Sequence, residues 1–225
     1  QITFITGIAS TGLFTGAGTA ALRGQVSGIL NGNNFVYRSD FLQGAFTLNG
    51  TLNWSEGAFG AALTITSNGV LNISGEQQKS FSTNSFIENA GTVVWNNGWL
   101  RADQVGLAFH NLPGGLFEMR SNAFYFYSEN SPVFLNEGTV RKSAGDFTDF
   151  ALAFTNSGTV DVQTGQITFI TGYNQKAGET RVVGTLSGPT INILGGKLTG
   201  NGNLIGLVVN SGTISLGPAP ETLII

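Results

Sequence analysis

A short motif (Asn, any residue, Gly, then Thr and alternating apolar residues) returns along this chain about every twenty residues, and it restricts the fold more than any other feature. It reads Asn89-Ala90-Gly91-Thr92-Val93, Asn136-Glu137-Gly138-Thr139-Val140, Asn156-Ser157-Gly158-Thr159-Val160 and Asn210-Ser211-Gly212-Thr213-Ile214. Shortened forms are Asn49-Gly50-Thr51-Leu52 and Asn68-Gly69-Val70-Leu71, and Pro113-Gly114-Gly115-Leu116-Phe117 is a looser one. The glycines at 50, 69, 91, 115, 138 and 158 are 19, 22, 24, 23 and 20 residues apart. A repeat of that length is one unit that cannot bury its apolar face alone and must stack on its neighbours.

The unit is built of strands. Phe46, Leu48, Leu52 and Trp54 in one repeat, and Leu63, Ile65, Val70 (or Leu71) and Ile73 in the next, follow a period-two alternation, while no helix-length stretch keeps a 3.6-residue period. In a parallel β-solenoid each strand lies ~4.8 Å above its counterpart, so that backbone groups pair between coils and inward side chains form ladders. At about 22 residues per coil the chain makes about ten coils and a rod of roughly 45 Å. The expected fold is therefore all-β, a parallel β-solenoid with little or no α-helix, in one domain over 1–225. Residues 1–44 are its less regular coils and 45–225 the Asn-x-Gly-Thr coils. Asn and Gly suit the corners because both tolerate the left-handed region and stacked Asn amides can bond to one another. The denser glycines of 195–204 predict narrower coils near the C-terminal side.

Composition limits what such a rod can do. Only 10% of the 225 residues are charged, against roughly 25% in an average domain, yet 17 Phe and a 41% hydrophobic content supply a long core. A net charge of −3, with Arg141-Lys142 as the densest basic pair, argues against nucleic acid. No apolar run is long enough to cross a membrane as a helix, and the chain opens in a strand-like segment rather than a leader. With no Cys there are no disulfides or thiolate metal sites. Gln1-Ile2-Thr3-Phe4-Ile5-Thr6-Gly7 recurs unchanged as Gln166-Ile167-Thr168-Phe169-Ile170-Thr171-Gly172, 165 residues on. That identity suggests coils able to replace one another, and neither end carries an evident polar cap, so the expected partners are the rest of a longer repeat protein or other copies stacked end to end.

From residue 45 onward the chain resembles the repetitive β-solenoid regions of large bacterial surface and secreted proteins, of the adhesin and autotransporter-passenger kind. The resemblance rests on Asn89–Trp95, Gly138–Gly145, Asn156–Gly165, Leu198-Thr199-Gly200-Asn201-Gly202 and Asn210–Ser215. Where such regions run on through a Pro-Gly-x-Ser-Pro-Gly turn, this chain has Gly217-Pro218-Ala219-Pro220-Glu221. The resemblance implies a right-handed parallel β-helix, export, a location at the cell surface, and a structural or adhesive role; no cofactor or metal is expected.

Three groups of residues are candidates for chemistry. His110 is the only histidine, so any Ser-His-Asp relay would need it, and a lone His beside a turn is more simply a surface position. Glu118 and Arg120, with Arg101 and Asp103 one coil earlier, are the best carboxylate-plus-base group, of the sort that lyases and glycosidases use. Their alternation with Phe117 and Met119 is equally that of a solvated strand face. Trp95, Trp99, Tyr125 and Tyr127 lie in neighbouring coils, and their planar rings suit stacking on a cell-surface glycan. The corner set Asn89, Gly91, Asn136, Gly138, Asn156, Gly158, Asn210 and Gly212 is read as structural. Gly16-Ala17-Gly18-Thr19-Ala20-Ala21 echoes a dinucleotide fingerprint without a βαβ unit around it, Gly195-Gly196-Lys197 lacks Walker spacing, and neither implies a cofactor.

Overall fold

The computed structural model describes residues 1–4, 7–82, 85–103, 106–127 and 132–216, with backbone only for 39, 40 and 216. The turn at Pro218–Glu221 lies outside the described residues. The chain forms a parallel β-solenoid of about 11 turns, and the described residues contain no helix. Every strand pairing is parallel and joins one coil to the next.

Each coil has three faces. Face I contains Phe86–Asn89, Leu107–Asn111, Val133–Asn136, Ala153–Asn156 and Tyr173–Gln175. Face II follows the Asn-x-Gly corner and contains Val70–Ile73, Thr92–Trp95, Leu116–Met119, Thr139–Lys142, Thr159–Val162, Glu179–Val182, Lys197–Gly200 and Thr213–Leu216. Face III contains Lys79–Phe81, Leu100–Ala102, Ala123–Phe126, Phe147–Phe150 and Gln166–Phe169. Coil length varies as the glycines predict. Phe117 sits over Val93, 24 residues on, whereas Ile214 sits over Leu198, only 16 on.

Because successive side chains of a strand point to opposite faces, each column alternates an inward and an outward ladder. The inward ladders form one continuous apolar cluster from Ala20 to Leu204. On face I the rings of Phe109, Phe134, Phe154 and Tyr173 stack at 4.7, 5.3 and 5.8 Å between centroids. Such pairs add roughly 0.5–1.5 kcal/mol each beyond the area they bury.

The corner residues divide two tasks. Asn89 Nδ2 donates to Asn111 Oδ1 at 2.8 Å, Asn111 Nδ2 to Asn136 Oδ1 at 2.8 Å, and Asn136 Nδ2 to Asn156 Oδ1 at 2.7 Å. Asn156 and Gln175 extend the ladder, and Gln175 Nε2 ends it on the carbonyls of Gly195 and Lys197. The register partners on either side are apolar, Ile65 below Asn89 and Ile193 above Gln175. Three corner Asn also turn their own corners: Oδ1 of Asn89, of Asn156 and of Asn210 accepts from the glycine N–H two residues on.

The motif glycine has a different reason from the one the sequence suggests. Among the motif glycines at 91, 138, 158 and 212, none has positive φ. A Cβ at Gly91 would stand 2.3 Å from the Gly69 carbonyl oxygen, and one at Gly158 would stand 2.2 Å from that of Gly138. Close stacking of coil on coil, not handedness of the turn, excludes a side chain there.

The repeated heptapeptide is also not a repeated position. Gln166–Phe169 is a face III strand that pairs with Phe147–Phe150. Ile2–Phe4 pairs with Ala20–Leu22, and that column passes by Ala20↔Phe35 and the Tyr37–Trp54 ring stack into face II. The two copies share a strand pattern and occupy different columns.

The amide ladder yields a stability prediction. Asn111→Ala leaves Asn89 and Asn136 without partners in a dry interior and should cost about 3 kcal/mol, a fall in Tm of roughly 6–12 °C. Asn210→Ala, at an exposed corner, should cost less than about 1 kcal/mol. Thermal unfolding followed by circular dichroism compares the two.

Candidate functional site

The outward ladders are where chemistry has to be sought. On face II, Glu118, Arg141, Asp161 and Arg181 are successive register partners, so the charges alternate up the rod. Arg141 Nε lies 3.2 Å and Arg181 Nη1 3.4 Å from the Asp161 carboxylate, which also accepts from Gln163 at 2.7 Å. Arg120 Nη2 lies 2.6 Å from Glu118, whose other oxygen accepts from Ser143 at 2.8 Å. Arg101 and Asp103 pair with each other at 2.7 Å, but on face III. The sequence group of Glu118, Arg120, Arg101 and Asp103 is thus split between two faces, and each half is held in an ion pair. His110 points outward on face I, with Nε2 2.9 Å from Glu137 Oε2.

The four aromatic candidates separate in the same way. Trp95 and Tyr125 are fully buried. Trp95 shares the inward parity of Val93, and its indole N–H donates to the Gly98 carbonyl at 2.8 Å. Tyr125 stands in the inward column between Leu100 and Phe150. Both are corrections to the glycan-binding set, because an indole or phenol inside a parallel solenoid has no path to solvent. Tyr127 follows the face III strand, is half-buried, and makes no ring contact with Trp99. Trp99 alone of the four is half exposed, at 50%. It leaves the tight corner at Gly98, φ +77°, on the side opposite Trp95.

Trp99 is not isolated. Its ring packs edge-on against Phe124 at 5.2 Å and 71°, and against Phe126 at 6.2 Å and 88°; Phe124 in turn meets Phe147 at 5.5 Å. Trp99, Phe124 and Phe126 enclose an open notch of about 210 Å³. The outward neighbours of the notch are polar: Arg101 is the register partner of Phe126, and Asp149 that of Phe124. The sequence holds the signal for Phe124 and Phe126, since they alternate with Tyr125. Only the inter-coil register decides which parity faces out, and a phenol's hydroxyl misleads by favouring Tyr.

The buried polar groups serve corners. Trp54 Nε1 donates to the Glu56 carbonyl, as Trp95 does to Gly98. Lys142 occupies the same inward register position two coils beyond Trp95 and donates to the carbonyls of Ser121 and Ala144 at 3.0 and 2.5 Å. Lys79 caps the corner carbonyls of Gly75 and Gln77. Burial lowers both ammonium groups to about 8, opposed in part by Glu56 for Lys79 and by Asp146 for Lys142. Burial pushes the Tyr125 and Tyr173 phenols up, and the Tyr125 hydroxyl has no hydrogen-bond partner among the described residues. Among the described residues no group of three or more His, Asp or Glu could hold a metal. Comparison with protein-family models, curated proteins and solved structures gave no match.

Two outcomes follow. Tyr125→Phe removes an unpaired buried hydroxyl and keeps the ring, so it should leave Tm unchanged or raise it, by up to about 1 kcal/mol in stability. The lysines set a pH dependence. Their folded pKa of about 8 lies below the ordinary 10.5, so between those values the unfolded chain binds more protons and stability rises with pH. The tyrosines act oppositely above their ordinary 10.0, because the folded chain then holds protons that the unfolded chain loses. Urea unfolding should show stability rising from about pH 8 to pH 10, and Lys142→Met should make that rise about half as steep.

Proposed function

We propose that this chain is a non-catalytic structural segment of an extracellular fibre, stalk or adhesin, acting through its stiffness and outer surface. The observation that carries the reading is the continuity of three kinds of ladder along one axis. The apolar stack, the buried amide ladder and the outer charge ladder each bridge successive coils, so bending the rod would strain all three together. On face II Arg141 and Arg181 pair with Asp161, and Lys197 with Glu179, from coil to coil instead of converging on a cleft. Glu118 pairs with Arg120 in its own coil and accepts from Ser143 of the next. A lyase or glycosidase would need two opposed carboxyl groups across a substrate, and the acidic residues proposed for that task stand on different faces.

The partner in this reading is another coil, either of a longer repeat chain or of a second copy. A coil's open edge is a template for pairing, and head-to-tail stacking that does not close gives filaments.

Negative-stain electron microscopy and small-angle scattering over a concentration series test this. Rods of roughly 50 Å, the length of about 11 coils, are expected at low concentration, lengthening into uniform filaments if copies stack. A particle whose maximum dimension falls well short of that length would end the rod reading, and saturable hydrolysis or elimination on a polysaccharide would end the non-catalytic one.

A further inference from the structure

We propose that the notch formed by Trp99, Phe124 and Phe126 binds one ring of a neutral β-linked glycan chain, which runs along the rod axis towards Phe147. The first argument is where the aromatic residues stand. On the outward side of face III the coil below offers Gln78 and Ser80, and the coils above offer Gln166 and Thr168, then Thr185 and Ser187. Between those coils three successive coils carry aromatic rings outward and form one cluster, separate from the exposed Phe41 that lies lower on the face beside Gly60 and Ser82. The rings of the cluster lie outside the buried core of Phe81, Leu100, Tyr125 and Phe150, and adjacent coils stack with polar residues at the same outward positions, so coil stacking does not require aromatic rings there.

Size and shape select the occupant. The notch holds about 210 Å³, below the roughly 300–1,000 Å³ of pockets that enclose a whole small molecule. It has room for a single ring. Its walls are planar, with Trp99 nearly perpendicular to both phenylalanines, so a flat ligand can lie on one face and be bounded by another. A protein partner fits poorly. A stable interface buries about 800 Å² on each side, and four partly covered side chains offer a fraction of that.

The rim selects the chemistry. Asp149, directly above Phe124, is half-buried and makes no ion pair or hydrogen bond with a described residue. Arg101, directly below Phe126, is paired with Asp103. An apolar occupant spanning this array would desolvate Asp149 without a partner, at considerable cost. A pyranose meets both demands, because its C–H face lies on the rings while its hydroxyls donate to Asp149 and accept from Arg101. The opposite charges of the two rim residues match a neutral polyol better than an ion of either sign. The centroid steps of 5.2 Å from Trp99 to Phe124 and 5.5 Å on to Phe147 continue the surface along the axis. A linear β-linked chain, whose rings present C–H groups on both faces, follows that line.

Isothermal titration calorimetry of the full chain with cellohexaose tests the proposal. Saturable binding with a Kd in the range of about 0.1–1 mM is expected. Trp99→Ala and Phe126→Ala should each weaken it at least about tenfold, and Asp149→Asn about threefold, with unchanged circular dichroism. The exposure of Trp99 makes its removal tolerable to the fold, and Phe126→Ala is the independent second test. No saturable heat up to about 10 mM overturns the proposal; so does equal affinity in Trp99→Ala. Sedimentation of the sugar-free protein gives the remaining outcome: dimers that Trp99→Ala converts to monomers would make the notch a contact between copies and overturn it as well.

Discussion

Everything in this molecule depends on the hydrogen bonding of one coil to the next. A parallel coil has no partner within itself, so its backbone N–H and C=O groups are satisfied only by neighbours above and below. That requirement fixes the spacing between coils at ~4.8 Å, and the spacing then dictates which side chains are admissible. At the Asn-x-Gly corners a Cβ would stand 2.2–2.7 Å from a carbonyl oxygen of the coil beneath. At the Asn position the same spacing suits a primary amide, which donates upward and accepts from below without a gap. Sequence and stacking therefore specify each other at the corner.

The amide ladder also explains how a buried polar column is tolerated. A single Asn in that interior would be a liability. Four in register, with Gln175 to end the series on two backbone carbonyls, leave few unsatisfied atoms. The ladder is flanked by Ile65 and Ile193, where the column returns to apolar packing. Elsewhere one corner need, a donor aimed at turn carbonyls, is met by the indoles of Trp54 and Trp95 and by the ammonium of Lys142. The same column also holds the apolar Ile73, Met119 and Val162, so the position accepts a long side chain with a terminal N–H, neutral or charged, without requiring one. Where that side chain is Lys142, burial lowers its pKa.

The architecture was legible in the sequence because period-two alternation and corner spacing are local properties. The stacked amides, the coil narrowing between Leu198 and Ile214, and the absence of helix among the described residues all follow from it. What local pattern could not supply was parity. Ala123–Phe126 alternates perfectly, yet whether Phe124 or Tyr125 faces solvent depends on register with Leu100 and Phe150 in other coils. A shift of one residue exchanges the two sets. The same limit explains why one heptapeptide serves face II as Ile2–Phe4 and face III as Gln166–Phe169. A strand's sequence records its alternation and not its column.

That limit bears on how such a rod acquires function. In an enzyme with a cleft, the fold brings distant residues together and the site is a product of the core. Here the core constrains only inward positions, and an outward residue is free wherever its neighbours in the ladder allow. Glu118, Arg141, Asp161 and Arg181 show that freedom spent on cohesion between coils. Trp99, Phe124 and Phe126 occupy equivalent outward positions on another face and contribute little cohesion that polar residues would not, since the coils on either side of them stack without aromatic rings. An outward feature that spans several coils and is not needed for stacking is where selection for a partner can act, because it can change without disturbing the ladders inside.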